Sequence, residues 1–243
     1  MRLQLLSDVH VEFHADNGAD FVRSLEPSWV DVLVLAGDIA VGPGIVPALE
    51  LFCERYRDAT VVYVHGNHEY YGADRDVVVG HTREAVGRNR NLVWLDTETT
   101  EIRGQRFIGG PLWFERRPEA ERFKSSMADF GQIAGFESWV YEENQRMKEL
   151  LARELRETDV VVTHHLPTRL SVAPRFASSP LNAFFVSEVD ALIEERRPRL
   201  WMHGHTHVSV DKRLGPTRIL CNPFGYAGWE LNSAFIDGMF VDL

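Results

Sequence analysis

Short apolar runs recur along the chain, and polar residues follow each of them closely. Each run spans three or four residues rich in Val, Ile and Leu, which is too short for a helix and typical of a buried β-strand. The five clearest runs are Leu3–Leu6, Val32–Leu35, Val61–Val64, Val160–Val162 and Leu200–Met202.

Segments with helical periodicity separate these strands. The last of them opens with Ser187 and Asp190 at capping spacing and ends before Pro198. Strands that alternate with helices predict an α/β fold whose sheet is buried on both faces. The four helical segments are Ile45–Arg57, Asp74–Arg88, Ser138–Glu157 and Ser187–Arg196.

Two further stretches predict β-hairpins. One joins Thr99–Arg103 to Gln105–Gly109, and the other joins Val208–Leu214 to Thr217–Leu220. Hairpins make neighbouring strands antiparallel, so the sheets are expected to be mixed. The chain shows no internal repeat and no Gly/Ser/Pro-rich linker, so residues 1–243 are predicted to form a single domain.

Residues 112–137 fit neither the helical nor the strand period. We interpret this segment as a cap or lid rather than as part of the core. Its basic side chains either form a solvated face or recognise phosphate, and its aromatic side chains are expected to pack. These side chains are Arg116, Arg117, Arg122 and Lys124 with Trp113, Phe114, Phe123 and Phe130.

Composition and charge narrow the class of protein. With 44% hydrophobic and 26% charged residues, the chain is expected to fold as a globular protein. The net charge of −10 argues against a surface that holds duplex DNA through many phosphate contacts.

No apolar run is long enough to cross a membrane, and Asp8 interrupts the run that could serve as a signal peptide, so we expect a cytoplasmic protein without a membrane partner. Cys53 and Cys221 lack metal-clip or redox spacing and are predicted to be buried thiols.

The polar residues that follow the five runs are mainly Asp, Asn and His. Because ligands bind beyond the carboxyl ends of strands in α/β sheets, these side chains can converge although they lie far apart in the sequence. Carboxylate, amide and imidazole groups without thiolate suit Mn²⁺, Fe, Zn²⁺ or Mg²⁺. They are too many for one ion and suit two ions about 3.5–4 Å apart that share a carboxylate. The five elements are Asp8-Val9-His10, Gly37-Asp38, Gly66-Asn67-His68-Glu69, Thr163-His164-His165 and Gly204-His205-Thr206-His207.

This ordered set resembles the motifs of the calcineurin-like metallophosphoesterases, in particular their small bacterial and phage-type branch. The family pattern is Asp-x-His, Gly-Asp, Gly-Asn-His-Glu/Asp, a His-containing element and Gly-His-x-His, and all of these occur in order between Asp8 and His207. The resemblance implies a four-layer α/β/β/α sandwich of mixed β-sheets flanked by helices. The stretch after Asp38 lacks the later Asp and Arg of the protein Ser/Thr phosphatase branch, so a phosphoprotein phosphatase is a poor match.

The resemblance also implies the ligands of two divalent metal ions, with Mn²⁺ favoured and Fe, Zn²⁺, Ni²⁺ and Mg²⁺ as alternatives. Asp38 would bridge the two ions. Between the adjacent His164 and His165, His164 is chosen because it follows the strand and a threonine as the family ligand does. One ion would be held by Asp8, His10, Asp38 and His207, and the other by Asp38, Asn67, His164 and His205.

The implied activity is hydrolysis of a phosphodiester or phosphomonoester by attack of a metal-bridging hydroxide. His68 would assist the leaving group, and Asn67 and Asp38 complete the catalytic set. The expected substrate is a small, nucleotide-like phosphate ester. The alternative among enzymes is a metal-dependent nuclease that acts on short or single-stranded nucleic acid. The alternative outside enzymes is an inactive metal-bound scaffold that binds a partner protein.

For other polar residues near the motifs, the sequence predicts a role less specifically. Glu69 is expected to orient its neighbours by hydrogen bonding. Tyr70 and Tyr71 either line the substrate cleft or pack, and Asn222 follows a strand-like run and could approach the site. The histidines without motif support are expected to have a structural role or to lie on the surface. They are His14, His65, His81 and His203. His165 is expected to contact the metal ligands without binding a metal itself.

Overall fold

The computed structural model describes residues 1–243, and its secondary structure follows the predicted alternation of strands and helices. None of the helices is both long and apolar enough to span a membrane. The strands are β1 (Arg2–Leu6), β2 (Val32–Ala36), β3 (Thr60–Val64), β4 (Leu92–Trp94), β5 (Glu98–Ile102), β6 (Gln105–Gly110), β7 (Val160–Thr163), β8 (Leu200–His203), β9 (Val210–Leu214), β10 (Thr217–Cys221), β11 (Gly225–Tyr226), β12 (Glu230–Leu231) and β13 (Phe240–Asp242). The helices are α1 (Ala19–Ser24), α2 (Ile45–Arg55), α3 (Arg75–Arg88), α4 (Asp129–Gln132), α5 (Val140–Glu154) and α6 (Asp190–Arg196).

Two mixed sheets contain most of the strands. The first has the order β13-β1-β2-β3-β4, in which β1 to β4 are parallel and β13 is antiparallel to β1. The second has the order β5-β6-β7-β8-β10-β9, in which the central strands are parallel and a hairpin adds an antiparallel strand at each edge. Strands β11 and β12 form a separate two-stranded ribbon. Both predicted hairpins and the mixed sheets are confirmed.

The side chains of each central strand alternate between two apolar layers. On β7, Val162 packs between the two sheets, and Val161 packs with residues of α5 and α6 on the outer face. One face of each sheet packs against the other sheet and the opposite face packs against helices. For this reason the sequences of these strands are continuous apolar runs. Cys53 and Cys221 are buried free thiols, as predicted. The layers form the four-layer α/β/β/α sandwich that the resemblance implies.

Two helices begin later than the sequence predicts. Helix α6 begins at Asp190, and the predicted cap at Ser187 is wrong. The Ser187 hydroxyl is buried and accepts a hydrogen bond of 2.8 Å from the side-chain amide of Asn144, so it is not free to cap a helix. Helix α5 begins at Val140 because Phe136–Ser138 form a 3-10 turn. At the start of α6 a tertiary contact outweighs the local preference.

The segment of residues 112–137 divides into a buried part and a part that reaches the site. Trp113 and Phe114 are 1% and 0% exposed and pack in the core, so the interpretation as cap rather than core is wrong for them. Ser126 and Asp129 line the cavity described below. A lid role for this second part stays a prediction.

Three of the four basic side chains in this segment are engaged in ion pairs. Arg116 and Lys124 both contact Glu121, and Arg117 contacts Glu188. Arg116 is exposed, as expected of a solvated face, whereas the side chains of Arg117 and Lys124 are only 15% exposed. The ion pairs draw the three cations away from a role as phosphate ligands.

Candidate metal centre

The predicted ligands meet at one edge of the sandwich, beyond the carboxyl ends of β1, β2, β3, β7 and β8. Their ligand atoms form three overlapping groups, and within each group all atoms lie within 4.8 Å of one another. Because the groups share residues, they form one continuous cluster. The groups are Asp8, His10 and His207; His10, Asp38 and His68; and Asp38, His164 and His205.

Asp38 lies at the centre of this cluster. Its Oδ2 atom is 3.3 Å from His164 Nε2 and 3.8 Å from His10 Nε2, so one carboxylate faces both halves. Its Oδ1 atom accepts a hydrogen bond of 2.8 Å from the backbone N–H of His68. The geometry suits a carboxylate shared by two ions.

The remaining ligand atoms are spaced like the corners of coordination polyhedra. His10 Nε2 is 3.3 Å from His207 Nε2, which in turn is 3.5 Å from Asp8 Oδ1. On the other side, Asn67 Oδ1 is 3.1 Å from His164 Nε2. Ligand atoms about 2.1 Å from one ion are about 3.0 Å apart in an octahedron and about 3.4 Å apart in a tetrahedron. The observed separations match these edges.

Buried nitrogen atoms that lack partners support the same conclusion. His205 Nε2 is buried without a hydrogen-bond partner. The facing Nε2 atoms of His10 and His207 can share a hydrogen bond only if one of them carries the proton and the other does not. A buried polar group without a partner is unfavourable by about 1–3 kcal/mol. Divalent ions would satisfy these nitrogens, so the residues present fit a dinuclear centre.

Two glycines give the ligands room. A Cβ atom on Gly66 would overlap Asp38 Oδ1, and a Cβ atom on Gly204 would lie 2.9 Å from Asp8 Oδ2 and 2.6 Å from the Ala36 carbonyl oxygen. Close approach, rather than a special turn conformation, therefore requires glycine in these two motif elements.

Most of the candidate ligands have an unusual backbone conformation. Positive φ angles, which are unfavourable for residues with a Cβ atom, occur where the chain turns after β1, β2 and β8. The residues concerned are Asp8 at 50°, His10 at 48°, Asp38 at 55°, His205 at 71° and His207 at 47°.

Glu69 ties the turns after β2 and β3 together. Its buried carboxylate accepts hydrogen bonds from the Tyr63 hydroxyl at 2.8 Å and from the backbone N–H groups of Asp38, Ile39 and Gly66 at 3.1, 2.9 and 2.8 Å. Burial and then the charge of Asp38 raise the pKa of Glu69 to about 7. The prediction that Glu69 orients its neighbours by hydrogen bonding is confirmed.

The ionisable groups of the cluster shift one another's pKa. Burial by itself would raise the pKa of Asp38, but the imidazoles of His164, His68 and His10 hold it well below its usual range. Burial opposes the proton on His164, yet the charge of Asp38 raises the pKa of His164 to about 9. Burial and the neighbouring imidazoles hold the pKa of His205 well below its usual value. In the metal-free cluster Asp38 is thus ionised and His205 neutral, as metal ligands must be, whereas His164 would release its proton when a metal binds.

His68 is firmly held beside the cluster. Its ring stacks on Tyr71 with centroids 4.2 Å apart, and its Nε2 atom is 3.2 Å from the Tyr226 hydroxyl. Its Nδ1 atom is 3.7 Å from Glu12 Oε1. Burial would lower the pKa of His68, but the charges of Asp38 and Glu12 raise it. The environment therefore favours an imidazole that holds a proton.

Two residues that the sequence analysis missed contact the imidazoles of the cluster. Glu12 Oε1 is 3.2 Å from His10 Nδ1, and the Tyr226 ring lies 4.5 Å from the His10 ring and 4.6 Å from the His207 ring. Their positions in the sequence give a weak signal: Glu12 is two residues after His10, and Tyr226 comes shortly after the end of β10.

Asp129, also missed, fixes the orientation of the Asn67 side chain. Its Oδ1 atom accepts hydrogen bonds from Asn67 Nδ2 at 2.9 Å and from the Tyr71 hydroxyl at 2.6 Å. With its amide nitrogen bonded to Asp129, Asn67 turns its oxygen toward His164. Asp129 is 1% exposed and follows no motif, so nothing in the sequence marks it.

Three of the four histidines without motif support, His14, His65 and His203, hydrogen bond away from the cluster. His65 bonds to the Tyr70 hydroxyl at 2.7 Å, which places Tyr70 in the core rather than in the cleft. Burial lowers the pKa of His65 to about 3. His14 contacts a backbone carbonyl at 3.1 Å, and His203 contacts the Ser171 hydroxyl at 2.9 Å.

Two further residues lie near the cluster without joining it. His165 Nδ1 is 3.2 Å from a backbone carbonyl, and its ring packs 4.3 Å from the His205 ring, so the geometry favours His164 as the ligand. Asn222 uses its side-chain amide to hold the Leu5 carbonyl oxygen of β1 at 2.8 Å. Its role is to support the strand that precedes Asp8.

An open cavity, here called the site cavity, lies over the cluster. Its volume is about 340 Å³, which is within the range of small-molecule sites. It is bounded on one side by the ligands and on the other by the segments around Ser126 and Phe176. Among the residues that line it are Asp38, Asn67, His68, Asp129, His207 and Tyr226.

The fold and this constellation define the class of protein. The chain belongs to the calcineurin-like phosphoesterase family, whose model matches residues 1–209. It is therefore a metallophosphoesterase, a hydrolase of phosphoric esters, and the resemblance seen in the sequence is confirmed.

Particular relatives are distant. Uncharacterized protein L509 of Acanthamoeba polyphaga mimivirus is 22% identical over 260 residues, which cover 93% of this chain and 91% of that protein. Among solved structures, the phosphopantetheinyl hydrolase PptH of Mycobacterium tuberculosis has a TM-score of 0.69 at 19% identity, over 92% of this chain and 89% of that one. The protein TT1561 of Thermus thermophilus has a TM-score of 0.59 at 15% identity, over 91% and 88%. At such identities these structures show the fold alone.

Proposed function

We propose that this protein hydrolyses a small phosphate ester at a dinuclear metal centre built around Asp38. The observation that carries the proposal is the position of the Asp38 carboxylate between two groups of ligand atoms. The donors combine carboxylate, amide and imidazole groups without thiolate, a set that suits Mn²⁺, Fe, Zn²⁺ or Mg²⁺, and Mn²⁺ is the ion we propose first. One ion would be held by Asp8, His10, Asp38 and His207, and the other by Asp38, Asn67, His164 and His205.

Each residue of the site then has a defined part in hydrolysis. Divalent ions supply positive charge at the phosphate and make water nucleophilic at neutral pH. Asn67 presents its side-chain oxygen to the cluster because its amide nitrogen is bonded to Asp129. His68 lies beside the site cavity, where it would donate a proton to the oxygen of the departing alcohol, so that the alcohol leaves neutral.

The lining of the site cavity favours a small substrate over a nucleic acid. Arg175 is the only lysine or arginine in this lining, whereas Asp38, Asp129 and Glu230 contribute carboxylates. A nucleic-acid strand needs several cationic contacts along its backbone. The nuclease alternative is therefore the weaker one. A nucleotide-like substrate, and the choice between monoester and diester, stay predictions.

Metal-free protein reloaded with Mn²⁺ is expected to hydrolyse p-nitrophenyl phosphate, bis-p-nitrophenyl phosphate or both. Release of p-nitrophenolate is measured with Mn²⁺, Zn²⁺, Ni²⁺, Fe²⁺ and Mg²⁺ in parallel, together with the metal content of the protein. Activity is expected to disappear on renewed metal removal. A protein that binds ions but cleaves neither ester with any of them would overturn the proposal and support the inactive-scaffold alternative.

Asp129→Ala is expected to weaken metal binding by about 10–100-fold, the usual effect of losing a residue that orients a metal ligand. Without Asp129, the Asn67 amide is free to rotate its oxygen away from the cluster. Asp129→Asn, which keeps a side-chain oxygen to accept these hydrogen bonds, is the matched control and is expected to restore most of the affinity. Affinity is measured on metal-free protein by competition with a chromogenic chelator. Unchanged affinity in Asp129→Ala would show that Asn67 does not depend on Asp129.

A further inference from the structure

A second cavity opens from the side of the site cavity, and we refer to it as the apolar branch. Its volume is about 170 Å³, and most of the residues that line it are hydrophobic. Its inner wall includes Leu166, Val172 and Ala173. Four residues line both cavities, so the two spaces adjoin. They are Phe176, Leu181, Phe185 and Thr206.

Eight of the nine residues that line the apolar branch belong to the loop between β7 and α6, and the ninth, Thr206, follows β8. The branch is therefore anchored to the strand that leads into His164. The two ends of this loop are joined by a bridge between Leu166 and Val186, and the Leu166 N–H donates to the Phe185 carbonyl oxygen at 3.0 Å. The Phe185 ring lies 4.3 Å from the ring of His205, a candidate ligand. A group bound in the branch is therefore a direct neighbour of a phosphate at the cluster.

The polar side chains of the branch are largely used within the loop itself. The Ser179 hydroxyl accepts a hydrogen bond from the Leu181 N–H at 3.3 Å, and the Asn182 amide donates to the Phe176 carbonyl oxygen at 2.8 Å. A nucleobase placed here would give up water at its polar edges and find few free partners, which is unfavourable by about 1–3 kcal/mol per group. A hydrocarbon group has no such penalty.

A single cation stands near the entrance to the branch. Arg175 lines the site cavity, and its guanidinium packs 4.8 Å from the ring of Phe176, which lines both spaces. One guanidinium can pair with one phosphate. Beyond the phosphate at the cluster, the further charges of a nucleoside di- or triphosphate chain would find only this one cation as a partner.

We propose that the apolar branch binds the organic arm of the substrate, so that this protein acts on phosphate esters of a compact aromatic or branched aliphatic group. The proposal rests on the function proposed above and replaces its nucleotide-like substrate with a more apolar one. The volume agrees with this class, because an apolar cavity of about 150 Å³ holds a benzene ring. In the reaction the oxygen of water forms a bond to phosphorus while one P–O bond to an organic group breaks. His68 gives its proton to the departing alcohol, and the proton that the water loses restores the proton on His68.

The wild-type protein, loaded with Mn²⁺, is tested on esters that differ in one arm. Benzyl and methyl p-nitrophenyl phosphate form a diester pair with a common leaving group, and benzyl and methyl phosphate form a monoester pair followed by phosphate release. The expected kcat/KM is at least about 10-fold higher for the benzyl ester in the pair that is cleaved, since even one methylene in an apolar pocket has an effect of this size. Thymidine 5′-p-nitrophenyl phosphate, with the same leaving group, is expected to react more slowly than the benzyl diester.

Variants on the loop locate the effect in the apolar branch. Ala173 lines the branch but not the site cavity, so Ala173→Phe fills the branch and is expected to bring the benzyl-to-methyl ratio close to one. Ala177→Phe, at an exposed position of the same loop that lines neither cavity, is the matched control and is expected to keep the wild-type ratio. Ala173→Leu fills the branch with a smaller side chain and replaces Ala173→Phe in the test if that variant does not fold.

Xenon provides a readout that depends neither on metal nor on activity. In pressurised crystals of the metal-free protein, xenon is expected in the branch of the wild type and not in that of the Ala173 variants. A benzyl-to-methyl ratio near one in an active wild type, or a faster reaction of the thymidine ester, overturns this proposal and leaves the proposed function standing. Absence of hydrolysis of every ester overturns the proposed function, and this proposal with it.

Discussion

Replacing Asp38 with alanine is expected to abolish the binding of both metal ions and to slow hydrolysis by about 10³-fold or more. The carboxylate faces His10 on one side and His164 on the other, so its loss removes a donor from both halves of the cluster. Charge stabilisation by a divalent ion amounts to several kcal/mol, and each 1.4 kcal/mol or so corresponds to about a tenfold change in rate. Metal content and kcat are measured on the same reloaded preparation.

Two further variants separate the charge of Asp38 from its shape and from general effects of mutation. Asp38→Asn keeps an oxygen that can accept the hydrogen bond from the His68 N–H, so it is expected to fold while binding fewer than two ions. Asp58→Ala removes an exposed aspartate in the turn before β3, outside every motif element, and is expected to keep both ions and the full rate. Two bound ions and an unchanged rate in Asp38→Ala would contradict a bridging carboxylate.

His68→Gln is expected to keep both ions while kcat falls by about 10²–10⁴-fold, the usual contribution of a general acid. The imidazole lies between the Tyr226 hydroxyl and Glu12, on the cavity side of the cluster. The charges of Asp38 and Glu12 raise its pKa, so that it holds a proton for transfer more readily than an exposed histidine does.

The leaving group distinguishes proton donation from other roles of His68. Because p-nitrophenolate leaves readily without a proton, the loss in His68→Gln is expected to be smaller for p-nitrophenyl phosphate than for benzyl phosphate. His81→Ala, on helix α3, is the matched histidine control and is expected to behave as the wild type. If His68→Gln loses as much metal as Asp38→Ala, His68 is a ligand and not a proton donor.

The sequence predicts those parts of the site that follow from the strands. Asp8, Asp38 and His164 each come one or two residues after a buried apolar strand, and parallel strands bring their carboxyl ends to one edge of a sheet. Strand pattern and motif order therefore suffice to predict that they converge. Glu69 belongs to the same category, because it lies within a motif element directly after β3.

Other features depend on tertiary contacts that no local pattern encodes. Asp129 reaches Asn67 from a segment without regular periodicity, and its hydrogen bonds exist only once that segment has folded against the turn after β3. Ser187 has the residue type and spacing of a helix cap, but its hydroxyl accepts a hydrogen bond from the Asn144 side chain instead. Trp113 lies in the same irregular segment as Asp129 yet is buried in the core. Such pairings between distant residues require the structure.

The left-handed backbone at five candidate ligands has a consequence for the abundance of this protein in the cell. Each such residue disfavours the folded chain by about 1 kcal/mol, which gives roughly 5 kcal/mol in total, comparable to the net stability of a whole domain. Ions that bind only the folded chain offset this strain by mass action. Cells short of the metal would then lose the protein itself to proteolysis, as well as its activity, so that its level would follow the supply of the ion.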